Sequence, residues 1–363
     1  MMALSVTTRS QREASNDVDE IAEMDIFHKF DVVSDSSDHY YVNNKAAKMN
    51  GGDCFSNISS KVHKKIIKEW RILEKHLPDT IYVRVYENRI DLLRAVIIGA
   101  AGTPYHDGLY FFDIAFPSDY PSRPPLVYYK SFGLRINPNL YANGRVCLSL
   151  VNTWHGKKSE KWNPNESTVL QVLVSIQALV LNEKPYFNEP GIGIWPGRAI
   201  WEKKSNSYSE DVFVLSCKTV LFNLRRPPKN FEGFVVRHFK ERAPMILLAC
   251  NAYVNGRVGI GYYNYDTSDG SLSSTSRSLG TEVSQKFKAM ILQLYPELVA
   301  GFTRIGAALE NLSEQLKLER KTPSFRKQVV IKKKNMNSNN KNSGVAARVL
   351  SKLKKVLGLK KKQ

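Results

Sequence analysis

Apolar residues at Val62, Ile66, Trp70, Leu73 and Leu77 recur at three- and four-residue spacing, which predicts a helix capped by Ser59 or Ser60 and ended by Pro78. Its other face carries Lys61, Lys64, Lys65, Lys68 and Arg71. The period then shortens. Runs from Ile81 to Tyr86, Leu92 to Ile98, Leu109 to Phe116 and Leu126 to Tyr129 read as strands, and their short turn-bearing links predict successive antiparallel pairing in a meander. Phe132 to Ser149 is rich in Gly, Asn and Pro and has little periodicity. A loop of that length in a compact domain points to function rather than simple connection.

After it, Ser167 or Thr168 starts a helix through Val169, Leu170, Val172, Leu173, Ile176, Leu179 and Val180, apolar over an arc wide enough to predict a buried central helix against the sheet. Asn182 to Gly197 is broken by Pro185, Pro190, Gly191, Gly193, Pro196 and Gly197 and is expected to be irregular. Helical spacing returns from Glu210 to Leu224, from Phe231 to Arg242 and from Met245 to Val254. A flexible loop is expected at 264–280, then helices over Glu282 to Tyr295 and Glu297 to Leu318. Residues 1–58 are rich in Ser, Asp and Asn and are expected to be largely disordered. Within them Phe30 to Val42, FDVVSDSSDHYYV, reads as a solvated linker, with a docking segment as the alternative.

Charge sharpens this outline. The net charge is +19, yet residues 1–60 hold 5 Lys/Arg against 10 Asp/Glu, while residues 321–363 hold 14 Lys/Arg and no acid. Much of the basicity therefore belongs to a tail. In it Val345, Val349, Leu350, Leu353, Val356 and Leu357 share one helical face opposite lysines, the pattern of a basic amphipathic helix suited to an anionic membrane, a nucleic acid or a partner helix. The amino terminus shows no apolar signal segment, and Pro244 to Val254 is too short for a membrane span. Cys54, Cys147, Cys217 and Cys250 form no CxxC pair and no Cys/His cluster, so neither a metal site nor a disulfide framework is expected. A cytoplasmic or nuclear protein fits, with peripheral membrane association through the tail.

The segment FPSDYPSRPP, Phe116 to Pro125, followed by NPNLYANGRVCLSL, Asn137 to Leu150, resembles the core signature of ubiquitin-conjugating enzymes, the E2 family, in which a cysteine lies eight residues after an asparagine, as Cys147 follows Asn139. The stretch NTWHGKKSEKWNPNE is similar to a large subclass that includes plant members and hybrid enzymes with ligase (E3) activity. The resemblance implies an α+β fold, the ubiquitin-conjugating (UBC) fold, with a four-stranded antiparallel meander flanked by helices. A C-terminal helical extension and disordered tails would complete the chain. Its expected divisions are an acidic N-terminal region at 1–58, the catalytic core at 59–226, the extension at 227–320 and the basic tail at 321–363.

The resemblance also implies roles. Cys147 would be the thioester nucleophile, accessible at the lip of a shallow groove, and Asn139 the amide that stabilises the oxyanion when a lysine attacks. Pro138 sets the loop turn, and Asn137 stands where the family has a loop-bracing histidine. Asn182, Glu183, Tyr186 and Asn188 are candidates for the pocket rim; Lys64, Lys65 and Lys68, read as exposed, for contact with the activating enzyme; Ser122, Pro164 and Asn165 for contact with a ligase. Ser122 stands where the family has a phenylalanine, and Pro164-Asn165 where it has Pro-Ala, which favours ligase-independent conjugation. The implied partners are ubiquitin, the ubiquitin-activating enzyme, a protein substrate and a ligase. No cofactor is implied, since ubiquitin is the acyl donor and ATP is used by the activating enzyme. Two other readings stand beside this one: a cysteine protease using His155, and a non-catalytic UBC-fold scaffold acting through its basic tail.

Overall fold

A computed structural model describes residues 27–43, 55–192, 199–263, 283–312 and 314. Ser60 accepts a hydrogen bond from His63 N and opens helix α1, Lys61–His76, whose Ile66 and Leu73 face the core. Strands β2, Ile81–Tyr86, β3, Arg89–Ile98, β4, Leu109–Ala115, and β5, Leu126–Tyr129, form the expected antiparallel meander. Alternation sends Val83, Val85, Leu93, Ala95, Phe112 and Ile114 to one face, against α1 and the buried residues of α2, Val169–Ser175. Thr168 caps α2 in a reciprocal box with Gln171, and the helix continues as a wider π-type turn over Ile176–Val180.

The other face of the sheet is also covered. Val96, Leu109 and Phe111 pack against Phe213 of α3, Ala199–Arg225, and against Phe231 and Phe234 at the start of α4, Glu232–Val254. Every residue of β4 is buried as a result. Helix α5, Gln285–Arg304, closes this second core with Phe287, Ile291, Leu298 and Phe302. Helix α3 contributes Val212 to the first core and Phe213 to the second, so the expected core and extension share one helix.

Several expectations are corrected. The segment Phe30 to Val42 is part of the fold: Phe30–Val33 forms β1, a fifth strand parallel to β2, and Tyr40–Asn43 adds a helical turn. Its acids are partners rather than solvated charges. Arg94, wholly buried, binds Asp113 through Nε and Nη2 and reaches Asp38 Oδ1 at 2.6 Å, while Lys229 Nζ meets Asp35 at 2.7 Å. Tyr40 N donates to Asp113, and the Tyr40 ring stacks on Tyr128 at 3.5 Å. Two prolines expected to divide helices lie inside them, Pro244 in α4 and Pro296 in α5. Each removes one backbone donor, but buried side chains on both sides, Phe239 with Leu247 and Ile291 with Leu298, hold the helix in register. Helix α3 starts at Ala199 and not near Glu210, because its first turns bury Ser205 and Ser209 instead of an apolar stripe.

Residues 1–26, Cys54, the loop expected at 264–280 and the amphipathic tail lie outside the described residues. Among the described residues no helix is long and apolar enough to cross a membrane.

Burial holds the imidazoles of His39 and His238 below their ordinary pKa of 6.5. The unfolded chain protonates these groups first, so their contribution to stability is fully present above about pH 6.5 and is lost as pH falls through the folded values. The carboxyls of Asp107 and Asp113, held below their ordinary 3.8, begin to withdraw stability only under that pH. Urea unfolding midpoints should therefore fall between pH 7.5 and 5, with a slope of at most about 1.4 kcal/mol per pH unit for each histidine, and His238→Gln should flatten the slope.

Candidate active site

The segment after β5 folds back on itself. Tyr129 N donates to Gly144 O at 2.8 Å, and Gly144, at φ +87°, lies so close to the Tyr128 ring that a Cβ would stand 2.0 Å from it. That turn places Cys147 opposite Asn139. Cys147 N donates to Asn139 O at 2.9 Å, and Asn139 Nδ2 donates to Cys147 O at 2.8 Å. The carboxamide orientation follows from this contact, because the reverse would set two oxygens against each other. Asn139 Oδ1 is buried and has no partner among the described residues.

Asn137 and Pro138 are buried beneath the pair. Asn137 Nδ2 donates to Tyr105 Oη at 2.8 Å and to Val180 O at 2.7 Å, and its Oδ1 accepts from Asn139 N at 2.8 Å and from Asn188 Nδ2 at 3.3 Å. The amide thus fills both donor and both acceptor positions. Asn188 Nδ2 also reaches Val180 O, and its Oδ1 accepts from Asn182 Nδ2 at 2.7 Å. Two of the rim candidates are therefore joined to the nucleophile loop by a ladder of carboxamides.

The expected exposure of the sulfur is corrected: Cys147 is 2% exposed. The TWHG segment closes against the residues flanking it, with Thr153 Oγ1 donating to Val146 O at 2.7 Å and accepting from Leu148 N at 2.9 Å. Ser149 Oγ donates to the His155 carbonyl, and the His155 residue itself is exposed. A cysteine-protease arrangement requires the imidazole to meet the thiol. Here His155 approaches the loop through its backbone.

The remaining candidates divide. Glu183 is exposed and accepts from Tyr262 Oη, a residue beyond α4. Tyr186 packs among Phe187, Trp201 and Tyr208 rather than standing free at the rim. Lys64 and Lys68 are exposed on α1, but Lys65 is turned inward, 18% exposed and 3.6 Å from Glu69, which corrects its placement on the open face. Glu69 is wholly buried and accepts from Tyr120 Oη at 2.8 Å and Val169 N at 3.0 Å, bracing the N-terminus of α2. Ser122, Pro164 and Asn165 are exposed on two loops that Trp162 ties together by donating to Pro121 O at 2.7 Å. Cys217 and Cys250 are buried between α3 and α4. Among the described residues no cluster of three or more His, Cys, Asp or Glu is placed to hold a metal ion. Tyr105 and Glu69 escaped the sequence reading, since neither belongs to a motif and both act through partners distant in the chain.

A family model described as ubiquitin-conjugating enzyme matches residues 65–212. The putative ubiquitin-conjugating enzyme E2 38 of Arabidopsis thaliana is 51% identical over 292 residues, covering 80% of this chain and 85% of that protein. The probable ubiquitin-conjugating enzyme E2 24 of the same plant is 50% identical over 280 residues, 77% of this chain, and the chain spans only 29% of that longer protein. The human dual E2 ubiquitin-conjugating enzyme/E3 ubiquitin-protein ligase BIRC6 is 36% identical over 243 residues, 63% of this chain and 5% of that protein.

Replacing Asn137 by alanine should leave Asn139 N without a buried partner and deprive Val180 O and Tyr105 Oη of one donor each. The expected loss is about 2–4 kcal/mol of unfolding free energy, measured by urea denaturation at pH 7.5.

Proposed function

Because the chain belongs to the ubiquitin-conjugating enzyme family, we propose that Cys147 carries ubiquitin as a thioester and passes it to a substrate lysine. The observation that carries this reading is the mutual pairing of Cys147 with Asn139, eight residues earlier, which holds a carboxamide N–H beside the nucleophile's own carbonyl at 2.8 Å.

In the first step the Cys147 thiolate attacks the thioester carbonyl presented by the activating enzyme. A new S–C bond forms as the donor's S–C bond breaks, and the departing thiolate takes up the proton. In the second step a neutral lysine amine attacks the Cys147 thioester. The N–C bond of the isopeptide forms, the S–C bond breaks, and the amine proton leaves to Cys147 or solvent. Negative charge gathers on the carbonyl oxygen in between. One N–H of Asn139 holds Cys147 O, and the second is the donor for that oxyanion. Glu183, a rim candidate that is exposed and accepts from Tyr262 Oη, is the group we assign to orient the incoming amine and favour loss of its proton.

The low exposure of Cys147 means that loading displaces the covering turn. The exposed residues Lys157–Glu160 beside it supply slack for that movement. Lys64 and Lys68 offer the cationic face of α1 to the activating enzyme, and Ser122, Pro164 and Asn165 lie on the two joined loops available to a ligase. With a serine in place of a large apolar side chain at 122, that surface offers little area to bury, which supports conjugation with weak dependence on a ligase and the hybrid character of the human relative.

Incubation with activating enzyme, ubiquitin and ATP should yield an adduct that reductant cleaves, and Cys147→Ser should convert it to a reductant-stable ester. Absence of any adduct on the native chain sinks the assignment. Asn139→Ala should still load but discharge to free lysine roughly 100-fold more slowly in a single-turnover chase. Equal losses in both steps would contradict its role as oxyanion donor.

A further inference from the structure

We propose that the C-terminal helical extension takes part in the transfer step by fixing one loop of the core, residues 99–108, and that Tyr105 in this loop is the positioning residue that passes the restraint to Asn137 and Asn139. The proposal rests on the reading of Cys147 and Asn139 given above and assigns a further part of the chain to the same reaction.

The loop is stiff within itself. Gly99 N donates to Gly108 O at 2.9 Å, Thr103 Oγ1 donates to Ala100 O at 2.7 Å, and Tyr105 N donates to Thr103 Oγ1 at 3.2 Å. At Gly99 a Cβ would lie 1.8 Å from the carbonyl oxygen of Tyr105, so the two backbones touch where any other residue would force them apart. Such a loop moves as a unit.

One side of that unit is held by the extension. His106 Nδ1 lies 2.8 Å from Asp107 Oδ2 and its Nε2 lies 2.9 Å from Tyr253 Oη on α4. The ring is thereby held at both nitrogens, with Nδ1–H donating to the carboxylate and Nε2 paired with the tyrosine hydroxyl. His238 Nε2 donates to Asp107 O at 2.9 Å, and Arg242 lies 3.7 Å from the Asp107 carboxylate. Gly102 N donates to Gly261 O at 2.9 Å, and Gly261 N donates in turn to Tyr253 Oη at 3.0 Å. Tyr253, His238, Arg242 and Gly261 all lie beyond the stretch 65–212 that the family model matches.

The opposite side meets the nucleophile loop. Tyr105 is wholly buried; its hydroxyl donates to Ile136 O at 3.0 Å and accepts from Asn137 Nδ2 at 2.8 Å. Asn137 Oδ1 in turn holds Asn139 N at 2.8 Å. Tyr110 Oη donates to Tyr105 O at 3.1 Å and lies 3.0 Å from Ser216 Oγ on α3, which anchors Tyr105 from behind. Four residues in series, Tyr253, His106, Tyr105 and Asn137, thus connect α4 to the backbone of the oxyanion donor. A donor displaced by a fraction of an ångström loses much of its effect on the transition state, while its effect on forming the thioester is small.

The test is single-turnover discharge of the purified Cys147–ubiquitin thioester to free lysine, using the full chain. Tyr105→Phe keeps the ring and removes the hydroxyl, and should slow discharge about five- to tenfold. Tyr253→Phe, which touches no residue of the nucleophile loop, should slow it about two- to threefold. In an Asn139→Ala background both effects should vanish, because the group being positioned is gone. A general loss of packing would multiply through that background undiminished. Discharge at the native rate by both single variants, or equal slowing with and without Asn139, overturns the proposal. Should Tyr105→Phe fail to fold, Tyr253→Phe decides by the same comparison. Failure of the native chain to form any thioester would instead remove the functional reading beneath it.

Discussion

A carboxamide taken fully out of water must find partners for two donors and two acceptor positions, or it costs the fold several kcal/mol. Asn137 meets that demand with four groups from four places: Tyr105 in the 99–108 loop, Val180 at the wide end of the central helix, Asn188 in the turn after it, and Asn139 in its own loop. An imidazole, with two ring nitrogens, cannot donate twice and accept twice. Where the family has histidine, this chain therefore has a node of higher connectivity. The site depends on it, because the 99–108 loop, the end of the central helix and the turn at Asn188 all meet the nucleophile loop at this amide.

The same economy of buried polar groups explains the covered sheet. An antiparallel sheet can leave one face to water, but here the second face carries Arg94 and Asp113 among Val96, Leu109 and Phe111. A buried guanidinium is tolerable only when its charge and its donors are matched, and Asp113 alone leaves Nη1 unanswered. Asp38 answers it, from a segment 56 residues earlier. The N-terminal strap and the extension then meet through Lys229 and Asp35, so the two additions to the core stabilise each other as well as the sheet.

What the sequence disclosed was what lies in short windows. The short apolar runs at Ile81, Leu109 and Leu126 are strands, Ser60 caps its helix, and the spacing of Asn139 and Cys147 marks the nucleophile loop. What stayed hidden were pairings between distant residues. The acids of FDVVSDSSDHYYV look solvated until Arg94 and Lys229 are placed against them, and Lys65 looks exposed until Glu69 is found buried one turn away. Pro244 and Pro296 read as breaks because local propensity cannot register the side chains that grip both flanks. Tyr105 gave no sign at all, since its role lies in two hydrogen bonds to residues 31 and 32 positions away.

The burial of Cys147 acquires meaning from this asymmetry. Behind the sulfur stands a wall of satisfied groups, Asn137, Tyr105 and Ile136, none of them exposed. In front lies the TWHG segment, fastened through Thr153 and Ser149 and leading into a run of exposed residues from His155 to Lys161. A reaction that must admit a large acyl donor and later a lysine requires one side of the thiol to yield. Opening the front breaks a few surface-facing hydrogen bonds that water can replace, whereas opening the back would strand several buried donors at once. The front can therefore yield while Cys147 and Asn139 keep their mutual pairing, and the geometry needed for the second step survives the motion needed for the first.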